Sequence, residues 1–295
     1  VRWLDRQARH LVLTQAPLTV APLLQAIVQA GSTPQAWVFT SATLGDSDDL
    51  QWFTRTCGLP EACTLRVASP FDYATQASLY VPPDAPPVQA QAAHSAFVAR
   101  LAQVGAQQLG GRTLVLTTTL KALQAIGNHL QQQFGQAGGL FTAIDVLVQG
   151  QGSKHALLER FRQGTVHGRG CVLVASATFW EGVDIAGDAL QLLIIDKLPF
   201  APPDDPLVQA RTHQLEGLGL NAFNDYLLPE AAMALKQGVG RLIRSETDQG
   251  MVVIADTRLL EKAYGLRLLA ALPPMRLLTS QEAWQERLQQ LQALR

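Results

Sequence analysis

The segment Gln237-Gly238-Val239-Gly240-Arg241-Leu242-Ile243-Arg244 sets an amide and two guanidiniums at spacings that allow them to act together. The surrounding residues predict a helix that starts near Pro229, a favoured first-turn residue, and runs through the segment. At about 100° per residue, Gln237, Arg241 and Arg244 fall within about 60° of one another. Leu235, Val239 and Leu242 take the opposite face, so one side is core and the other is polar. Two guanidiniums presented together suit a polyanion such as a triphosphate, because each fork donates paired N–H groups to phosphate oxygens. Gly238 and Gly240 each cost the helix about 1 kcal/mol against Ala, and their missing side chains would let a ligand approach the polar face. Spacing alone also fits a solvated helix face carrying an ordinary Arg pair.

Other candidate groups sit just after apolar runs. Ser41-Ala42-Thr43-Leu44 follows one such run, and Thr117-Thr118-Thr119 ends another. Both also read as hydroxyl caps of a turn or a helix start. In Phe179-Trp180-Glu181-Gly182-Val183-Asp184, Gly182 admits close backbone approach, while the aromatic pair reads as core packing. Several signatures are missing from the sequence. No Lys directly follows a Gly, no Asp-Glu pair occurs, no His is followed by Glu, and there is no G-x-S-x-G. A phosphate-cradling loop and the acids that hold Mg²⁺ and activate water are therefore not encoded here.

The elements that must position these groups are short apolar runs alternating with helical stretches. Strands are expected at Leu11–Thr14, Ala36–Thr40, Thr113–Thr118, Ile144–Val148, Cys171–Ala175, Leu190–Asp196 and Met251–Asp256. Most have too few polar positions to alternate, which suits strands buried on both faces of a parallel sheet. Helical periodicity occupies Ala96–Leu109, Leu120–Phe134 and Lys154–Phe161. Strand and helix in alternation give an α/β fold, a parallel sheet flanked by helices. Pro82-Pro83-Asp84-Ala85-Pro86-Pro87 reads as a stiff exposed loop. Before it lie too few strands for a whole domain, so residues 1–75 are expected to be the end of a domain that begins upstream of Val1. Residues 76–275 are expected to form a complete second domain. After Pro273-Pro274, Trp284, Leu288 and Leu291 recur at helical spacing, giving an amphipathic tail helix over 276–295 whose apolar stripe must be buried somewhere.

Composition narrows the classes. Hydrophobic residues make up 47% and charged residues 16%, which fits a globular protein and excludes a disordered one. The formal charge of −1 offers no basic surface, so any nucleic-acid contact must come from local donors in a groove. Cys57, Cys63 and Cys171 form no C-x-x-C pair and lie near no clustered His, so neither a zinc site nor a disulfide framework is expected. Such scattered thiols suit a reducing cytoplasm. No apolar run reaches the ~18 residues that span a bilayer.

The whole string from Gln237 to Arg244 resembles motif VI of superfamily-2 helicases, in the wording of the DinG/YoaA group, bacterial relatives of XPD. Ser41-Ala42-Thr43-Leu44 resembles motif III, Thr117 to Thr119 match motif IV in position, and Phe179 to Asp184 resemble motif V. Ser69-Pro70-Phe71-Asp72-Tyr73 and Lys197-Leu198-Pro199-Phe200 are similar to further stretches typical of the group, and the likeness runs from about Trp3 to Leu272. It implies two RecA-like motor domains with ATP and Mg²⁺ between them, residues 1–75 ending the first and 76–275 forming the second. Arg241 and Arg244 would then be arginine fingers, with Gln237, Gly240, Gly182 and Asp184 at the nucleotide. Ser41, Ala42 and Thr43 would couple nucleotide state to DNA grip, and Thr118 and Ser176 would hold phosphates of single-stranded DNA. The polarity implied is 5′ to 3′, and the iron–sulfur cysteines of many such helicases would lie in the N-terminal part outside this chain. The resemblance further implies that the chain alone does not hydrolyse ATP. The alternative is a non-catalytic interaction module that docks a replication protein such as the χ subunit of DNA polymerase III, for which the tail helix offers a handle.

Overall fold

The computed structural model describes the chain apart from residues 7–9, 31–34, 42, 46–48, 136–143, 177–178, 180–188 and 295. Along the chain come β1 (Arg2–Arg6), β2 (Leu11–Gln15), α1 (Ala21–Gln29), α2 (Gln51–Thr56), α3 (Tyr73–Gln76) and β3 (Ala77–Tyr80). Next are α4 (Gln91–Leu109), β4 (Thr113–Thr117), α5 (Leu120–Gly135), β5 (Ile144–Val148), α6 (Lys154–Arg162), β6 (Gly170–Ser176) and β7 (Leu192–Ile195). The last part holds α7 (Pro206–Gly217), a π-helical turn (Phe223–Leu227), α8 (Leu228–Val239), β8 (Gly250–Ile254) and α9 (Arg258–Glu261). It closes with α10 (Gly265–Ala271), β9 (Arg276–Leu278) and α11 (Gln281–Ala293). The chain divides into two compact units, Val1–Ala68 with Phe200–Ala234, and Ser69–Pro199 with Leu235–Arg295.

The larger unit is built on a seven-stranded sheet in the order β5-β6-β4-β7-β8-β3-β9, parallel throughout. Its central strands β4, β6, β7 and β8 carry only buried residues, which is why they read as unbroken apolar runs rather than alternating ones. One face of the sheet, including Val115, Val174, Ile194 and Val253, packs against α4, α5 and α11. A side chain at Gly105 of α4 would collide with Leu192, so this glycine lets the helix lie close on the sheet. Alternation along the strands sends Leu116 and Ile195 to the other face. There, a Cβ at Gly238 would lie 3.5 Å from Leu116 Cδ1 and 3.7 Å from Ile195 Cδ1. The chain leaves β4 toward β5 on one side and leaves β6 toward β7 on the other, so its direction reverses around β4. Open α/β sheets bind ligands at the carboxyl ends of strands at such a reversal.

Each expected helix is present, though the one expected to run through Arg244 ends at Val239, and five of the expected strands form the sheet. Two segments depart from expectation. Leu11–Gln15 is a strand, but it pairs antiparallel with β1, register Leu4↔Leu13, and leaves Leu11 and Leu13 exposed. Ala36–Thr40 forms no strand. Two further strands complete the sheet: β3, four residues ending just before the proline run, and β9, only three residues long.

The C-terminal helix corrects the idea of a free handle. Trp284, Leu288 and Leu291 of α11 lie inside the same core as α4 and the sheet, with the Trp284 ring stacked on Tyr80 at 5.9 Å between centroids. Ser280 caps the helix, its hydroxyl accepting the Ala283 N–H at 3.2 Å. Pro273-Pro274 therefore ends α10 without releasing the C-terminal segment, because β9 re-enters the sheet beside β3 and carries α11 back to it.

In the smaller unit, Asp205 caps α7, its Oδ1 accepting the N–H groups of Leu207 and Val208 at 2.8 and 3.0 Å. Arg211 of α7 donates to the Leu18 carbonyl at 3.2 Å and the Tyr226 hydroxyl at 3.3 Å. The π-helical turn directly precedes α8, whose second residue is Pro229. Proline has no N–H to give the carbonyl four residues back, and a π-bulge absorbs that mismatch. α8 thus starts one residue before Pro229, close to where the sequence places it, and continues the path of the π-helical turn.

Candidate functional site

At the carboxyl ends of β4 and β7, Thr118 and Asp196 meet. The Thr118 N–H donates to Asp196 Oδ1 at 3.0 Å, its hydroxyl reaches Oδ2 at 3.4 Å, and the Lys197 N–H also donates to Oδ1, at 2.8 Å. Asp196 is almost wholly buried. Burial pushes its carboxyl up to about 6, against the opposing pull of the Lys197 charge and the two backbone N–H groups. At the end of neighbouring β6, both the N–H and the hydroxyl of Ser176 donate to Gln149 Oε1, at 2.7 and 2.9 Å. Past β8, Asp256 accepts the Leu198 N–H at 2.9 Å and the Arg258 fork at 2.8 and 2.6 Å. Burial would raise the Asp256 carboxyl, but these donors, the Arg258 guanidinium foremost, hold it below its ordinary value.

Asp196 yields a pH prediction with a definite sign. Its folded value lies above its ordinary 3.8, so the stability linked to its proton is full below that value and lost as pH rises through about 6. Asp196→Asn keeps an oxygen for the two N–H groups and removes the charge. The variant is expected to be more stable than the parent at pH 7. The gain is on the order of 3 kcal/mol, the cost of keeping a buried carboxyl ionised when it holds its proton up to about 6. Between pH 7 and pH 4.5 the difference should shrink. Urea unfolding at both pH values checks this; a difference that does not change with pH means Asp196 is not the titrating group.

Gln237 lies on α8 and is exposed, but α8 ends at Val239. The Gly240 N–H closes the last α-helical bond to Lys236 at 2.9 Å. The N–H groups of Arg241 and Leu242 then bond only three residues back, to Gly238 and Val239. Arg241 and Arg244 therefore sit on a turn after the helix, both half-buried, and do not share a helix face with Gln237. The glycines also act differently from expectation. Gly238 faces the sheet with room for a methyl group, and a side chain at Gly240 would press on the Lys236 carbonyl at 3.1 Å. Neither opens the polar face. Leu242 and Ile243 are buried and anchor the turn.

Of the remaining candidates, Ser41 and Thr43 form a local turn in the smaller unit, the Thr43 N–H donating to Ser41 Oγ at 3.1 Å. Ala42, Gly182 and Asp184 lie outside the described residues. The structure also assembles residues that spacing did not single out: Gln149, Asp196, Asp256 and Asp248. For Asp196 and Asp256 a signal existed, since each is an acid immediately closing a buried apolar run. Among the described residues, no three His, Cys, Asp or Glu side chains converge as a metal site, and no helix is long and apolar enough to cross a membrane. The three cysteines are free thiols, and burial pushes Cys171 up to about 11.

Residues 103–275 match the family model described as the helicase C-terminal domain. The chain is 40% identical over 272 residues to "ATP-dependent DNA helicase YoaA" of Escherichia coli, covering 92% of this chain and 40% of that protein. The YoaA helicase of Haemophilus influenzae matches at the same identity and the same coverage. "ATP-dependent helicase DinG" of Mycobacterium tuberculosis is 35% identical over 282 residues, covering 93% of this chain and 40% of that protein. The chain thus spans about 40% of the length of these relatives. Among solved structures, S. tokodaii Xpd4 is similar over 76% of this chain and 43% of its own, at 17% identity and a TM-score of 0.48. The chain belongs to the helicase C-terminal domain family.

Proposed function

We propose that this chain carries the second motor domain of an ATP-dependent DNA helicase that moves 5′ to 3′ on single-stranded DNA in repair or replication. The observation that supports it most is the motif VI turn: Arg241 and Arg244 follow α8, anchored by Leu242 and Ile243, in a chain of the helicase C-terminal family. Both guanidiniums act on the γ-phosphate of bound ATP, where charge spreads over the oxygens as the bond to the leaving phosphate breaks. Gln237, Gly240, Gly182 and Asp184 complete this chain's share of the nucleotide site. Ser41, Ala42 and Thr43 relay nucleotide state to the DNA. Residues 1–75 belong to the end of the first motor domain.

Thr118 and Ser176 stand at adjacent strand ends, where a phosphodiester backbone finds hydroxyl and N–H donors. The Thr118 hydroxyl bond to Asp196, at 3.4 Å, is long and easily traded for a phosphate oxygen, while its N–H stays on the carboxylate. The phosphate loop and Mg²⁺ ligands are assigned to the first motor domain, since this sequence has no Lys after Gly and no Asp-Glu pair. A χ-type partner that docks on α11 has only the helix's polar outer face to use, because its apolar stripe is inside the core.

The chain alone is expected to show no ATP hydrolysis, with or without single-stranded DNA, whereas the full-length protein that contains it shows DNA-stimulated hydrolysis. The check is phosphate release by both proteins, purified in parallel. DNA-stimulated turnover that stays with the isolated chain through successive purification steps contradicts this assignment.

A further inference from the structure

The turn after α8 is held more firmly than a helix-to-strand connection requires. Asp248 Oδ2 accepts the N–H groups of Arg244 and Ser245 at 2.7 and 2.9 Å, and Oδ1 accepts the Ser245 hydroxyl at 2.7 Å. One carboxylate thus closes the turn on the backbone of Arg244 itself. Carboxylate acceptors make bonds about twice as strong as neutral ones. A second tie comes from far away in sequence. The buried amide of Gln76, at the end of α3, donates to the carbonyls of Ser245 and Asp248 at 2.8 and 3.0 Å. Gln76 is itself held, its carbonyl accepting from Arg287 of α11 at 3.2 Å, and Arg287 also donates to Gln249 Oε1 at 3.1 Å. Immediately after the turn, Gly250 starts β8, and a side chain there would strike Leu242 at 2.6 Å. The turn is pinned at both ends and in the middle.

We propose that Asp248, braced by Gln76, is the positioning residue for Arg244. It fixes the backbone from which this guanidinium is aimed, so that the fork is in place before nucleotide arrives. A transition-state contact of this kind loses rate steeply when it is displaced by about 1 Å. Asp248 touches backbone rather than nucleotide, so its loss should act on turnover and leave nucleotide affinity nearly unchanged. The proposal rests on the arginine-finger reading of Arg244.

The test is a double-mutant cycle in the full-length protein that contains this chain, reading kcat and KM for ATP with saturating single-stranded DNA. Asp248→Ala is expected to lower kcat about tenfold or more while KM for ATP changes less than about threefold. Asp248→Asn, which keeps an oxygen for both N–H groups, is expected to retain at least about a third of kcat. In the Arg244→Ala background, Asp248→Ala should change kcat less than about twofold, because residues acting as one unit are not additive. If Asp248→Ala does not fold, Gln76→Met replaces it in the same cycle, removing the amide donor at similar volume. Equal losses in both backgrounds overturn the positioning role while leaving the finger reading intact. A normal kcat for Arg244→Ala alone removes the finger reading, and the positioning role falls with it.

Discussion

Arg244→Ala, introduced into the full-length protein, is expected to lower DNA-stimulated kcat by between about tenfold and 10³-fold, with the fold unchanged. Arginine fingers are worth about 10³ to 10⁵ in phosphoryl transfer; here Arg241 stands three residues away and shares the charge, so one loss falls toward or below the lower end. The turn should keep its closure, because the backbone N–H that Arg244 gives to Asp248 survives the change to alanine. Arg244→Lys should recover only part of the loss, since an ammonium keeps the charge but not the planar fork. Steady-state ATP turnover read beside thermal unfolding separates the outcomes. A collapse in melting temperature with normal specific activity in the folded fraction would make Arg244 structural.

The second large effect is on stability. Trp284→Ala is expected to cost about 3 to 5 kcal/mol, the usual range for emptying a buried aromatic site. Against a domain stability of roughly 5 to 15 kcal/mol, that is a large share. Trp284 is 3% exposed and lies among Tyr80, Leu288 and Leu291, the two leucines being fully buried. Among the described residues its indole N–H is buried without a hydrogen-bond partner. Trp284→Phe should therefore cost far less than Trp284→Ala, because the lost group was unsatisfied already. A chain ending at Leu278 loses all three side chains and is expected not to fold cooperatively. By contrast, Gln285→Ala on the outer face should stay within about 0.5 kcal/mol of the parent. Urea midpoints for these four proteins decide the matter; a parent-like midpoint for the shortened chain would show that α11 does not belong to the core.

The sheet was readable in advance where its strands are covered on both sides. β4, β6, β7 and β8 each form an apolar run bounded by polar or glycine residues, and the physics that buries them leaves that mark; β5, at the sheet edge, was readable although Asp145 interrupts it. β3 and β9 left a weaker mark, being four and three residues long and beside a proline run or a helix start. Ala36–Thr40 shows the limit in the other direction, since an apolar run needs paired neighbours to become a strand. Type and spacing singled out Arg241 and Arg244, but put them on one helix face with Gln237, where the structure does not have them. A helical wheel assumes that the helix continues, while Gly238 and Gly240 already weaken it, and the chain tightens after Val239. Asp248 and Gln76 could not be found from local pattern at all. Their function is to bond backbone groups, Gln76 doing so across 169 and 172 positions of sequence.

Strand displacement by the full-length protein on a labelled duplex carrying a 5′ single-stranded tail bears most directly on the central claim that this chain is half of a DNA-unwinding motor. Unwinding is expected with ATP and Mg²⁺, to be absent with a non-hydrolysable ATP analogue, to fall in parallel with kcat in Arg244→Ala, and to be far weaker on a 3′-tailed duplex. A protein that hydrolyses ATP on DNA yet displaces no strand from either substrate would contradict the account.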